Sequence, residues 1–326
     1  MPWSIFFCNK RASLYLHFPC FDGVISGVLA ILFLEKTRGW RFKTLEPVNY
    51  ELKDRWLATP LPGRSAVVDF LYHPQAGFWA DHHSTTFLTD EAKADFEERQ
   101  GPSRIYDRQS GSCASLLWRE VVGLALHGAS RLEEMVHWAE KIDSAGYDSV
   151  QEAISSEHPA MIISSSLAIA ADREYCNFLV RKLCQASLAE TAAAAAVQQR
   201  SAQASELKKL GLERMRVAAR LEHGVVISEV NTEGSLVNRY SPYYFFPQAD
   251  YSIAILHSKD AITVTAMRNP WRNFESVNLG EFMRQFGGGG HQRVGSVILG
   301  KDDIATARVA RDKLLQELRQ TTGRPQ

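Results

Sequence analysis

Gly77-Phe78-Trp79-Ala80-Asp81-His82-His83 decides how this chain is read. An apolar segment runs straight into one carboxylate and two imidazoles. Gly77 to Ala80 reads as a short buried strand, and the three polar groups leave it together at its carboxyl end. Groups of that kind cost free energy beside a buried strand unless they are used. Upstream the arrangement recurs. Ala12 to Phe18 reads as a strand carrying His17, with Pro19 and Gly23 punctuating the turn that follows. Val24 to Lys36 is apolar at helical spacing, Trp40 to Leu45 reads as a second strand, and Ser65 to Asp69 as a third that ends in a carboxylate.

Helices are expected at Ser112 to Leu126, with Ser112 as N-cap, and at Ser130 to Ile142. Strands alternating with helices predict an α/β fold with a mainly parallel sheet. In such sheets the site lies beyond the carboxyl ends of the strands. His17, Asp22, Asp69, Asp81, His82 and His83 all fall at or just after those ends, which is the strongest argument the residues make by themselves.

Residues 157–185 read as helical without evident chemistry. Leu188 to Leu210 is rich in Ala, Gln, Lys and Glu, all good helix formers, and reads as a helical connector. From Arg214 the pattern changes to strands at Gly224 to Ser228, Tyr251 to Leu256, Ala261 to Met267 and Val294 to Leu299. Helices are expected at Leu279 to Phe286 and Asp302 to Thr321. The aromatic stretch Tyr240 to Phe246 reads as a strand packing the core, with base stacking as the alternative. The expected organisation is an α/β domain over residues 1–185, a connector over 186–212 and a smaller α+β domain over 213–326.

The chain has 326 residues, enough for two domains with real cores. Lys+Arg and Asp+Glu each number 37, so net charge is zero. That balance argues against coating long nucleic acid by bulk electrostatics, and leaves room for a small anionic substrate held by a local patch. Cys8, Cys20, Cys113, Cys176 and Cys184 form no C-x-x-C pair and are odd in number, which argues against a disulfide framework and for a reducing compartment. The longest apolar run, Val24 to Leu34, is too short to span a bilayer, and no secretory leader is recognisable. The expectation is a cytoplasmic protein with no membrane partner.

Imidazole nitrogen and carboxylate oxygen together suit divalent ions such as Mn²⁺, Zn²⁺ and Fe²⁺. His17, Asp22, Asp69, His82 and Asp143 could supply most of the shell of a two-metal site, which activates water and stabilises a phosphoryl transfer. Each has an ordinary alternative: a core histidine at His17, a turn former at Asp69, a cap at Asp143. Singly those alternatives prevail; for the set, with Asp81-His82-His83 in it, they do not.

In these residues and their order the chain resembles the DHH phosphoesterase superfamily, in the branch carrying the DHH-associated C-terminal domain. That branch includes manganese-dependent nanoRNases, cyclic-dinucleotide phosphodiesterases and RecJ exonucleases. The resemblance spans nearly the whole chain and rests on His17-Phe18-Pro19-Cys20-Phe21-Asp22-Gly23, Val67-Val68-Asp69, Asp81-His82-His83, Asp143 and Gly287-Gly288-Gly289-Gly290-His291. Ser110 to Leu116 also resembles the small-residue helix start of that family. The resemblance implies two Mn²⁺ ions, one held by His17 and Asp69, the other by Asp22, Asp69, His82 and Asp143, with Asp69 bridging. It implies that His83 contacts the scissile phosphate and that Asp81 is a ligand or orients a histidine. One position departs: Cys20 stands where many members carry the first aspartate of D-x-D. Cys20 is either a small buried filler or a thiolate, and a thiolate favours Zn²⁺ or Fe²⁺ over Mn²⁺.

Near the C-terminus, Gly288, Gly289 and Gly290 let backbone N–H groups approach a phosphate, and His291 can donate to a phosphate oxygen. The resemblance implies that this loop closes over the far end of the substrate, and it matches Arg268 to an arginine near the substrate. Arg293 is a weaker candidate. The expected function is a metal-dependent phosphodiesterase or exonuclease that cleaves short oligonucleotides or linear or cyclic dinucleotides to mononucleotides with metal-activated water; a homodimer is allowed for. The alternatives are a phosphatase or pyrophosphatase of the same superfamily, and a non-catalytic nucleotide-binding protein.

Overall fold

Leu14 and Leu16 pack on one face of a sheet and Tyr15 on the other. A computed structural model describes residues 10–322, apart from 127, 128, 156 and 171. Cys8 therefore lies outside the described residues. The chain divides into two compact units, one of residues up to 146 with 157–201, the other of 147–156 with residues from 202 onwards.

The first unit is built on five parallel strands, β1 (Arg11–His17), β2 (Arg41–Val48), β3 (Ser65–Val68), β4 (Phe78–Asp81) and β5 (Arg104–Tyr106), in the order β2-β1-β3-β4-β5. Ala66, Val68, Phe78 and Ala80 join Leu14 and Leu16 in a core with helix α1 (Phe21–Arg38). Val67 and Trp79 face a second core with Trp56 and Phe96, which belong to the 3-10 helix Tyr50–Ala58 and to helix α2 (Asp90–Arg99). Strands covered on both faces read as continuous apolar runs, and β3 and β4 are buried at every residue. Helix α1 is buried along most of its length and stops at Gly39, which adopts φ 63° and donates its N–H to the Leu34 carbonyl.

The expected helix from Ser112 begins as α3 (Cys113–Leu117), with Ser112 Oγ accepting the Ser115 N–H at 3.0 Å. It then widens to a π-helical turn over Trp118–Val122 before a last turn at Gly123–Ala125, where the Gly123 N–H reaches back to the Trp118 carbonyl. The helix Ser130–Asp143 follows. Residues 157–201 hold the helices Pro159–Ser166, Arg173–Gln185 and Leu188–Ala192 and the start of Ala195–Ala218. The segment read as a helical connector is helical in two pieces, divided at 193–194, the first opened by the Ser187–Glu190 capping box. Among the described residues no helix is long and apolar enough to cross a membrane, and Cys20, Cys113, Cys176 and Cys184 are all unbridged.

The second unit carries a mixed sheet of six strands, β6 (Arg220–Glu222), β7 (Val225–Asn231), β8 (Tyr251–His257), β9 (Ala261–Arg268), β10 (Gly289–His291) and β11 (Val294–Gly300), in the order β10-β11-β9-β8-β7-β6. Only β7 and β8 pair in parallel. Ile253, Ile255 and Val264 pack with Leu314 and Leu318 of the helix Ile304–Thr322. Two expectations are corrected here. The aromatic stretch is a helical turn, Ser241–Phe245, started by Pro242, and it still serves the core: Tyr243 is fully buried and its hydroxyl donates to the Met267 carbonyl at 2.5 Å. The glycine run is not a free loop, because Gly289–His291 pairs with Val294–Ser296 as a short antiparallel hairpin.

Candidate metal centre

The register Leu16↔Val68 and Val68↔Ala80 sets the carboxyl ends of β1, β3 and β4 level with one another. His17 ends β1, Asp81 ends β4, and Asp69 is the first residue after β3. Asp69 turns the chain in the left-handed region at φ 55°, which aspartate adopts more readily than most side chains. Its N–H donates to the Ala80 carbonyl at 2.9 Å. Around its carboxylate stand three imidazoles: His17 Nδ1 at 3.4 Å from Oδ2, His82 Nε2 at 3.7 Å and His83 Nδ1 at 3.8 Å from Oδ1.

Asp22 lies in the first turn of α1 and is 1 % exposed. Its Oδ2 accepts the Cys113 N–H at 2.7 Å and its Oδ1 the Ala114 N–H at 2.9 Å, so it caps the first amides of α3. His82 Nδ1 sits 3.1 Å from the Ser110 carbonyl. That contact favours a proton on Nδ1 and leaves the Nε2 lone pair directed at carboxylates, Asp143 at 3.3 Å and Asp22 and Asp69 at 3.7 Å each. Asp143 arrives as the last residue of the helix Ser130–Asp143. Asp81 Oδ1 accepts the His82 N–H at 2.8 Å and lies 2.8 Å from His83 Nδ1, which orients that ring.

The electrostatics are those of a site lacking positive charge. Burial, and then Asp22, Asp81 and Asp143, push the Asp69 carboxyl well above the ordinary range. Burial, and then the neighbouring His83, push His17 down to about 4, so its imidazole is neutral at pH 7 with a lone pair to give. Burial pulls His83 down, but the hydrogen bond and charge of Asp81 outweigh it and leave its pKa raised. Burial and the surrounding carboxylates raise the Cys20 thiol well above its usual value. Among the buried atoms that make no hydrogen bond are His17 Nδ1, both carboxylate oxygens of Asp69, Asp81 Oδ2 and His82 Nε2. Buried polar atoms left in that state are rare in folded proteins, and here they converge. Three ligand sets emerge, each with its donor atoms within 4.8 Å of one another: His17, Cys20 and Asp69; Asp22, His82 and Asp143; Asp69, Asp81, His82 and His83. Residues of this kind in this arrangement fit divalent cations.

The structure therefore gathers His17, Asp22, Asp69, Asp81, His82, His83 and Asp143. Arg268 and the glycine run lie in the second unit, at one side of its sheet, where β11 separates β9 from β10. Arg268 is 6 % exposed and stacks 4.3 Å from the Phe274 ring. Its Nη2 donates to the Phe274 carbonyl at 2.7 Å and its Nη1 to the Asn269 carbonyl at 3.4 Å, so part of its donor set holds the loop after β9. Gly288 and Gly290 have a structural cause: a Cβ would stand 2.2 Å from the Ser296 carbonyl oxygen at the first and 2.3 Å from that of Val294 at the second. Gly289 faces open space.

Sequence reasoning passed over Tyr50, whose ring packs edge-on against His17 at 5.2 Å and His83 at 6.3 Å and remains 36 % exposed. It follows a strand by two residues in a polar stretch, and no local pattern points to it. It also passed over the backbone of Ser110, Cys113 and Ala114, whose contribution does not depend on side-chain identity.

No protein-family model matches the chain, and no curated protein does. Solved structures do. PggH, a pGpG-specific phosphodiesterase from Vibrio cholerae, is 19% identical and aligns with a TM-score of 0.69 over 94% of this chain and 98% of its own. RecJ from Thermus thermophilus in complex with Mn²⁺ is 15% identical, with a TM-score of 0.53 over 93% of this chain and 52% of RecJ. The same protein with Mg²⁺ gives 13% identity and a TM-score of 0.50. The likeness is one of fold: a parallel α/β unit followed by a smaller unit with a mixed sheet, as the DHH resemblance led one to expect.

Proposed function

We propose that this chain is a metal-dependent phosphodiesterase of the DHH class that cleaves short oligonucleotides or dinucleotides to mononucleotides. The observation that carries this reading is the convergence of buried, non-hydrogen-bonded donor atoms of His17, Asp69, Asp81 and His82 with Asp22 and Asp143 at the strand ends. Few arrangements other than cation binding make four adjacent carboxylates tolerable.

In this reading His17 and Asp69 would hold one divalent ion, and Asp22, Asp69, His82 and Asp143 would hold a second. Asp69 would serve both sets, since Oδ2 faces His17 and Oδ1 faces His82. Such ions would supply Lewis acidity and make bound water more acidic. The protein's own contributions are positional. Ser110 and the α3 amides hold His82 and Asp22 in place. Asp81 holds His83 through Nδ1, leaving Nε2 to donate a hydrogen bond to a non-bridging phosphate oxygen as charge develops there. Arg268, the backbone of Gly288, Gly289 and Gly290, and His291 are assigned to the remaining nucleotide, and the domain division at 1–185, 186–212 and 213–326 to catalysis, connection and substrate binding.

The zero net charge favours a short substrate over a long strand. A 5′-phosphorylated dinucleotide such as pGpG, for which PggH is specific, is the first to try. The test is hydrolysis of pGpG and pApA, bis-p-nitrophenyl phosphate, pyrophosphate and a long single strand with Mn²⁺, Zn²⁺ or Fe²⁺, with and without chelator. Dinucleotide turnover to mononucleotides that vanishes with chelator is expected. Absence of turnover with every ion, alongside intact nucleotide binding, would instead make the chain a binding protein.

A further inference from the structure

Cys20 occupies a corner of this centre where sulfur changes the chemistry. Its Sγ, His17 Nδ1 and a carboxylate oxygen of Asp69 lie within 4.8 Å of one another, and His17 Nδ1 and Asp69 Oδ2 are 3.4 Å apart. Asp69 is 1 % exposed with neither carboxylate oxygen hydrogen-bonded, and His17 Nδ1 is likewise without a hydrogen bond. Cys20 is the N-cap residue of α1 yet makes no side-chain capping bond. Cys113 offers the contrast, a fully buried thiol that donates to the Ala80 carbonyl at 3.3 Å. Gly23 keeps the corner open: a Cβ there would stand 2.1 Å from the His17 carbonyl oxygen and 3.1 Å from Asp69 Oδ2.

We propose that His17, Cys20 and Asp69 form a mixed nitrogen, sulfur and oxygen site that selects a borderline-soft cation, Zn²⁺ or Fe²⁺, over Mn²⁺ and Mg²⁺. The inference rests on the cation-binding reading above and narrows it. On binding, the thiol proton passes to solvent and a sulfur–metal bond takes its place. Thiolate ligands select softer ions, whereas the neighbouring set of Asp22, His82 and Asp143 offers only nitrogen and oxygen. Asp69 belongs to both sides through its two oxygens. The centre therefore pairs a sulfur-containing half with an all-N/O half, and the two halves differ in metal preference.

The experiment is spectroscopic and needs no substrate. The full chain is stripped with chelator and loaded with Zn²⁺ for X-ray absorption or with Co²⁺ for optical absorption. One sulfur scatterer at about 2.3 Å from zinc and a thiolate-to-cobalt charge-transfer band are expected, both lost in Cys20→Ser. In equilibrium competition Cys20→Asp should shift the Zn²⁺-to-Mn²⁺ binding ratio toward Mn²⁺ by about tenfold or more. Metal bound by the wild-type chain with no sulfur in its shell would overturn the proposal, and that measurement does not depend on any variant folding. So would an unchanged ratio in a folded Cys20→Asp. Either result leaves the phosphodiesterase reading standing, whereas a sulfur signal without turnover on any phosphodiester upholds this site and ends that reading.

Discussion

Asp22 Oδ2 accepts the backbone N–H of Cys113 at 2.7 Å, and through it the first turn of α1 is bound to the first turn of α3. The second oxygen does the same for Ala114 at 2.9 Å. Asp22 thus has a structural duty beside its proposed ligand role, and the two can be told apart. Asp22→Ala leaves two buried amides without an acceptor, each worth about 1–3 kcal/mol. Relief from the nearby Asp69 charge offsets only part of that. Thermal unfolding of the metal-free protein should show a net loss of about 2–4 kcal/mol. A variant as stable as the parent would show that these two bonds carry little.

Asp69 should behave in the opposite sense. Its carboxylate is buried, receives no hydrogen bond and stands near Asp22, Asp81 and Asp143. Burial and these neighbours hold its pKa well above the usual carboxylate range, so the ionised form destabilises the folded chain and asparagine removes that form. Asparagine also tolerates the left-handed backbone at φ 55°, where alanine would be strained. Asp69→Asn should therefore melt higher than the parent in chelator, lose most of the melting-temperature rise that Mn²⁺ or Zn²⁺ gives the parent, and lose turnover. Unfolding scans with and without metal measure all but the last. A large metal-induced rise retained in Asp69→Asn would remove Asp69 from the ligand set.

Much of this centre was legible because its parts are side chains placed by strand ends. In a parallel sheet those ends lie level, so a reader who finds His17, Asp69 and Asp81 at three of them already has the neighbourhood. Asp143 comes from a helix 62 residues after Asp81, so no strand end places it; it entered as a candidate ligand by residue type, and the resemblance gave it a role. What could not be read was carried by backbone or by packing. The Ser110 carbonyl and the Cys113 and Ala114 amides leave no mark in residue identity. The turn at Tyr240–Phe246 has aromatic composition that suits a strand, and Pro242 at the start of a helical turn overrode it. The glycine run was read for its freedom, whereas two of its members are demanded by a hairpin whose strands approach too closely for a Cβ.

Tyr50 offers a test of positioning by packing. Its ring meets His17 and Phe70 at 5.2 and 5.5 Å and stands 6.3 Å from His83. Such aromatic contacts restrict the rotamers of the histidines they touch. Tyr50→Ala should lower kcat/KM on a dinucleotide about tenfold, through looser His17 and His83, while stability changes by no more than about 1–2 kcal/mol for a partly exposed ring. Tyr50→Phe keeps the ring and should stay close to the parent. Equal losses in both variants would move the role from the ring to the hydroxyl.

The glycine run separates fold from substrate at single-residue resolution. Gly288→Ala and Gly290→Ala each drive a Cβ into a carbonyl oxygen, at 2.2 and 2.3 Å, and Gly290 also sits at φ 142°. Both should destabilise the β10–β11 hairpin, by about 2 kcal/mol or more. Gly289 has neither obstacle, since nothing stands within 4 Å of the added Cβ. Gly289→Ala should fold as the parent does, and a methyl group on the exposed side of the hairpin should matter only to a ligand that approaches its backbone. The expected outcome is an unchanged melting temperature with a KM for pGpG raised about tenfold and little change on bis-p-nitrophenyl phosphate, which contains no nucleotide. If Gly289→Ala leaves the dinucleotide KM untouched, the run is there for the hairpin alone.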